Sequence, residues 1–132
     1  MSTDWQKDVL EFHKKSGTLE VHPIPCIPTK NTTELRKSLI REEYKEVIES
    51  LEECNLEGLA DGIGDLIYVL LGTAISYGMD MEPIWNLIHK ANMDKFGPGS
   101  IKREDGKILK PSWWKHPNIN TELCRQMDTY NV

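Results

Sequence analysis

The stretch LADGIGDLIYVLLGTAISY at positions 59–77 is apolar, yet it carries Asp61 and Asp65 with no basic residue beside them. On a helix, a step of four residues overshoots one turn by only about 40°, so the two carboxylates leave the same face, one turn apart. Like charges at that spacing repel, and a buried unpaired carboxylate is costly. A cation facing them would resolve the conflict. Three other readings stay open: residues favoured by the dipole of a helix start, a solvated notch, or a salt bridge to another helix. A second acidic group lies in LIREEYKEVIES at 39–50, where Glu42, Glu43 and Glu46 stand at i, i+1 and i+4. The ladder Glu42, Glu46, Glu49, Glu53 reads equally as a solvated face. Glu43 differs, because it falls between Leu39 and Val47, inside the edge of an apolar stripe.

The two acidic segments are joined through the short link CNLEG, which makes their helices antiparallel neighbours and lets the carboxylates meet. An all-oxygen cluster without His or Cys selects a hard cation. With few ligands and room for water, that is Mg²⁺, or Mn²⁺ as a substitute, rather than Ca²⁺. Gly62, Gly64 and Gly72 each cost roughly 1 kcal/mol against Ala inside a helix. They permit close helix approach, or ligand access, beside the acids; packing alone accounts for them as well.

Around these segments the chain reads as helical. From Asp4 to Lys15, Trp5, Val9 and Phe12 recur at i, i+4 and i+7, with Ser2 or Thr3 as cap and Gly17 as stop. TLEVHPIPCIPTKN is proline-rich and predicts an extended, irregular link. Thr32 or Thr33 caps a long second helix whose apolar side is Leu35, Leu39, Ile40, Val47, Ile48 and Leu51, ending near Cys54 or Asn55. The third helix is apolar on every side, the pattern of a helix buried all round, and closes at Gly78. Asp80 caps a fourth, with Pro83 in its first turn and Ile84, Trp85, Leu87 and Ile88 as core contacts. Asp105-Gly106 within IKREDGKILK is a hairpin or tight-turn cue. The tail after Pro117 has little periodicity and predicts no element.

The 132 residues suffice for one domain with one core, so a more elaborate site must borrow a second subunit. A net charge of −5 argues against holding a nucleic acid polymer by bulk electrostatics. Cys26, Cys54 and Cys124 form no C-x-x-C pair and no closed disulfide framework, which predicts reduced thiols and a cytoplasmic protein. The start MSTDWQKDVLEFHKK lacks the apolar core of a signal peptide. The longest uncharged run, Leu66 to Met79, is shorter than the roughly 20 residues of a membrane span, so no membrane partner is expected.

EEYKE at 42–46 followed by Asp65 resembles the all-α nucleoside triphosphate pyrophosphohydrolases. These comprise MazG-like proteins, dimeric dUTPases and phosphoribosyl-ATP pyrophosphohydrolases, with E-E-x-x-E on one helix and E-x-x-D on the next. Gly62 stands where the second motif has Glu, and Asp61 is the substitute one residue earlier. The likeness continues through DLIYVLLGTAISYGMD, HKANMDKFGPG and REDGKILKPSWW, and so covers roughly residues 5 to 117.

The resemblance implies an all-α bundle of four to five helices with a short C-terminal hairpin-like loop, a single helical domain over 1–118 and a tail over 119–132. It also implies a dimer or dimer of dimers, a site near the subunit interface, and hydrolysis between the α and β phosphates of a nucleoside triphosphate. The metal ligands become Glu42, Glu43, Glu46, Asp61 and Asp65. With no P-loop, nucleophile elbow or Cys/His pair present, water is the economical nucleophile, and Glu43 or Glu46 would orient or deprotonate it. Cations for the phosphates should come from the lysine-rich C-terminal third. Asn92 and Lys95, one turn apart, match a family position implicated in substrate contact, and Lys107 and Lys110 follow. Arg36 reads as a substrate contact or a structural counter-charge, Trp113 and Trp114 as base-stacking or core-covering, and His13 and His89 as surface or interface residues.

The expected function is therefore Mg²⁺-dependent pyrophosphohydrolysis of a (deoxy)nucleoside triphosphate for removal or recycling. Phosphoribosyl-ATP hydrolysis is one alternative, and a non-catalytic helical interaction or metal-binding module is another.

Overall fold

The computed structural model describes residues 4–129. Among the described residues there are five helices: α1 (Asp4–Ser16), α2 (Lys30–Glu52), α3 (Leu56–Ser76), α4 (Met81–Met93) and α5 (Ile119–Thr129). Between α4 and α5 two short strands, β1 (Ile101–Lys102) and β2 (Ile108–Leu109), pair antiparallel. The α2–α3 hairpin is the spine, α1 lies against α3, and α4 packs against α5. The helix α5 falls where the sequence predicted no element. It docks through Gln126, which accepts from the Asp80 N–H (2.8 Å) and donates to the Asp80 carbonyl (3.0 Å).

Side-chain chemistry sets the helix ends. The cap of α2 is Thr29 rather than Thr32 or Thr33; its hydroxyl accepts from the Thr32 N–H at 3.3 Å. Thr32 is otherwise engaged, donating its hydroxyl to Glu20 at 2.7 Å. The same Glu20 carboxylate receives the Thr29 hydroxyl (2.8 Å) and bonds the His22 ring. The His22 bond, then those from Thr32 and Thr29, pull the Glu20 pKa down to about 2, so the proline-rich link is knotted to the start of α2. Asp80 caps α4 by accepting from the Glu82 N–H at 3.1 Å. The expected caps of α1, Ser2 and Thr3, lie outside the described residues.

Burial differs from the expected stripes in α1, α2, α3 and α4; in α2, Leu35 and Leu51 of the expected apolar side are exposed. In α1 the inward face is Gln6, Val9 and His13, whereas Trp5 and Phe12 are exposed; Phe12 meets Tyr68 of α3 edge-on at 5.7 Å. Gln6 goes inward because its amide bridges the α3–α4 link, donating to the Met79 carbonyl (2.7 Å) and accepting from the Met81 N–H (3.0 Å). Helix α3 is buried at Gly62 and Gly72 and through its last turn at Ala74, Ile75 and Ser76, and leaves Ile63 (46% exposed) and Leu70 (47%) open. Trp85 of α4 is likewise exposed. By length and composition α3 is apolar enough to cross a membrane, but its two aspartates, four glycines and packing against α1 and α2 are those of a bundle helix.

Three of the four glycines in α3 stand close against neighbours, Gly58 beside Asn55 and Ser50 at the helix start. A Cβ on Gly62 would stand 3.2 Å from Val47 Cγ2, and one on Gly72 would stand 2.5 Å from an Arg36 guanidinium nitrogen and 2.8 Å from His13 Nε2. Gly64 faces open space. Arg36 is buried, donating to Thr73 Oγ1 (3.1 Å) and to the Val69 carbonyl (2.7 Å). It is a structural cation at the α1–α2–α3 junction.

His13 sits at that junction, 2% exposed, with Nδ1 lacking a hydrogen-bond partner. Burial lowers its pKa below 6.5, opposed by the Glu20 backbone and assisted by the Arg36 charge. The fold therefore holds the neutral ring, and the unfolded chain takes up the proton first. Stability attributable to His13 is complete above about pH 6.5 and is lost as pH falls from there towards the lowered value. Urea titrations at pH 7.5 and 5.5 should show this loss in the wild type, and His13→Asn should have a smaller difference between the two pH values.

Candidate metal centre and cationic cluster

The Gly62–Val47 contact draws α2 and α3 together one turn from the acids: Val47 follows Glu43 by four residues, and Gly62 precedes Asp65 by three. At this approach, carboxylate oxygens of Glu43, Glu46 and Asp65 all lie within 4.8 Å of one another. Glu43 is half-buried and its Oε2 is shut off from solvent without a hydrogen-bond partner. Burial raises its pKa first, followed by the charge and hydrogen bond of Glu46 and the charges of Asp65 and Glu42. Three carboxylates from two helices thus converge, and one oxygen is desolvated and unmatched. The donor set is all-oxygen and anionic, which fits a hard divalent cation such as Mg²⁺ or Mn²⁺.

Not every predicted ligand joins this trio. Glu42 is exposed and reaches the group through its charge on Glu43. Asp61, one turn before Asp65, is exposed and stands outside the trio.

The predicted substrate residues form a second group. Lys95 Nζ donates to Asn92 Oδ1 at 2.8 Å and lies 5.4 Å from the ring centroid of Trp114. Lys110 Nζ approaches the same ring at 4.9 Å. Lys107 stays in the turn between the strands, its N–H donating to Asp105 Oδ1 at 3.2 Å and its carbonyl accepting from the Arg103 N–H at 2.7 Å. Trp113 is 48% exposed and donates its indole N–H to the Pro98 carbonyl at 2.8 Å, while His89 is exposed. Sequence reasoning offered Trp114 only as a base platform or core cover. Its neighbourhood with Lys110 was the available signal, four residues apart, but Lys95 arrives from a different element.

With this geometry in hand, comparison with known proteins is decisive at the family level. The phosphoribosyl-ATP pyrophosphohydrolase family profile matches residues 11–92, which contain both acidic helices. The chain belongs to this family. An uncharacterized protein of Acanthamoeba polyphaga mimivirus is similar to it, 29% identical over 108 residues. That match takes in 76% of the present chain and 39% of the viral protein, so the chain spans about two fifths of its relative's length. The carboxylates that converge lie on α2 and α3, within the matched span.

Proposed function

We propose that the protein is a Mg²⁺-dependent pyrophosphohydrolase that cleaves a (deoxy)nucleoside triphosphate between its α and β phosphates, releasing the monophosphate and pyrophosphate. The observation that carries this reading is the inter-helical trio Glu43, Glu46 and Asp65 with its unmatched Glu43 oxygen, inside the span that matches the family. Glu43, Glu46 and Asp65 would hold the cation, with Glu42 and Asp61 as outer members. When bound, a divalent cation neutralises phosphate charge and polarises the phosphoryl oxygens. In a chain of net charge −5 that neutralisation is what makes a triphosphate acceptable at all. Glu46, the more exposed of the two catalytic glutamates, orients the attacking water, and Glu43, whose pKa is raised, is suited to take its proton. Asn92, Lys95 and Lys110 contact the phosphate chain, and Lys107 joins them from the turn. Phosphoribosyl-ATP is a second candidate substrate, favoured by the description of the matched family.

The test is a panel of ribo- and deoxyribonucleoside triphosphates together with phosphoribosyl-ATP, incubated with Mg²⁺ and read by pyrophosphate release. Turnover of none of them rejects the enzyme in favour of a helical interaction or metal-binding module. We further propose a homodimer or homotetramer in the cytoplasm, with no membrane or nucleic acid partner. The apolar residues that one chain leaves open, Trp5, Phe12, Ile63, Leu70 and Trp85, support the assembly. A stable monomer in sedimentation at micromolar concentration would count against it.

Asp61 has its own test. If it serves the cation through a bridging water, Asp61→Asn raises the Mg²⁺ concentration for half-maximal rate more than it lowers the saturated rate. An unchanged Mg²⁺ titration removes it from the site.

A further inference from the structure

Four cations of the C-terminal third divide into two kinds. Lys90 is paired with Asp94 at 2.8 Å and Arg103 with Asp105 at 2.6 Å, each neutralised by a neighbour in sequence. Lys95 and Lys110 are not; the first is held by a neutral amide oxygen, and both lie over the ring of Trp114. Gathering two ammonium groups on one indole costs charge repulsion, and a protein with 21 acidic residues has the means to quench it. Among the described residues no carboxylate forms an ion pair with either lysine. The indole itself is anchored. It is half-buried, donates its N–H to the Ala91 carbonyl in the last turns of α4 at 2.5 Å, and packs edge-on against His116 at 4.7 Å. A fixed aromatic face attracts an ammonium group by its quadrupole and limits where a long, flexible lysine can point. One lysine comes from the turn just past α4 and the other from the segment after β2, and both meet at the indole.

We propose that Trp114 is a positioning residue that holds Lys95 and Lys110 as a two-pronged clamp for the phosphate chain of the substrate. This inference rests on the hydrolase reading above for the identity of the substrate, but the clamp can be tested without turnover. Its ligand chemistry is that of a linear polyphosphate, whether carried by a nucleoside or free. Preorganised ammonium groups bind such an anion with less ordering cost than two free lysines.

The experiment is calorimetric binding of inorganic tripolyphosphate to the full chain without divalent cation, so that the acid trio contributes only repulsion. Wild type, Trp114→Phe, Trp114→Leu and Lys110→Met are compared, with melting temperature recorded for each. Trp114→Leu is expected to weaken binding about tenfold, and Trp114→Phe, which keeps an aromatic face, to recover part of the loss. Lys110→Met leaves the ring untouched and is expected to weaken binding similarly, which decides the matter if Trp114→Leu does not fold. Binding of tripolyphosphate that is absent in the wild type, or equal in the wild type and Lys110→Met, overturns the clamp. So does equal binding in wild type and a folded Trp114→Leu.

With whichever triphosphate is turned over, Trp114→Leu should raise KM and leave kcat within a small factor. A fall in kcat with KM unchanged rejects the positioning role. If the nucleoside alone, and not tripolyphosphate, loses affinity in Trp114→Leu, the ring serves the base and the clamp is wrong. Tripolyphosphate binding that depends on the clamp in a protein that hydrolyses no nucleotide would reject the hydrolase and keep the anion site. Hydrolysis with clamp-independent tripolyphosphate binding would do the reverse.

Discussion

Glu43→Gln is expected to lower metal-dependent turnover by roughly two orders of magnitude or more while making the metal-free protein more stable. Both effects come from the same oxygen. Glu43 Oε2 is buried without a donor, beside Glu46 and Asp65. In the absence of a cation, its charge is a cost to the fold, and its pKa is raised from 4.5 by burial and by its acidic neighbours. A raised carboxyl favours the fold only while protonated. Its penalty is therefore absent below about pH 4.5, grows as pH rises through the raised folded value, and is fully present above it. The amide of Gln keeps the size and removes the charge, so the penalty disappears together with the cation's anchor.

Asp65→Asn should lose turnover to a similar degree, since it supplies the α3 half of the trio. Glu49→Gln on the same helix is the control: it removes an exposed carboxylate 3.8 Å from Lys45 and outside the trio, so activity should hold. Turnover and metal-free thermal melts at pH 7.5 read both halves of the expectation. Near-wild-type activity in either site variant would show that the assigned site is wrong.

Gly78→Ala is expected to destabilise the fold by about 3 kcal/mol, from backbone strain and overpacking together. Gly78 has φ +70°, in the left-handed region, and it closes α3 with paired bonds: its N–H to the Ile75 carbonyl (3.1 Å) and the Met79 N–H to the Ala74 carbonyl (2.8 Å). A Cβ there would sit 1.9 Å from the Ile24 carbonyl oxygen. That oxygen belongs to the proline-rich link, which is laced to the end of α3 by the Cys26 N–H to the Tyr77 carbonyl at 3.0 Å. The obstacle is backbone, and it has no rotamer by which to move aside. Urea denaturation should show a lower midpoint at unchanged slope, and a loss under about 1 kcal/mol would mean that the link yields easily. Asp65 stands thirteen residues before Gly78 and the catalytic glutamates lie on α2, so residual activity per folded molecule should be retained.

The sequence by itself determined the helical class, because periodicity, caps such as Asp80 and glycines such as Gly78 act locally, within a few residues of where they stand. It also determined that two acidic groups on adjacent helices needed a common explanation, since the shortness of CNLEG leaves α2 and α3 no arrangement other than side by side. Tertiary structure alone decided which acids converge. Glu43, Glu46 and Asp65 meet because Gly62 lets Val47 approach, a contact between residues fifteen positions apart, whereas Asp61 has the same local credentials and stands outside. The same is true of α1, whose buried face turned to Gln6 and His13 because the carbonyl of Met79 accepts from the Gln6 amide and the missing side chain of Gly72 leaves room for His13. Trp114 followed the same rule: its lysines come from the turn after α4 and from the segment after β2, and no local pattern couples those elements. Local propensity is short-ranged and can be read from spacing. The choice among several plausible acids, aromatics and cations is made by distances across the fold, which spacing along the chain does not contain.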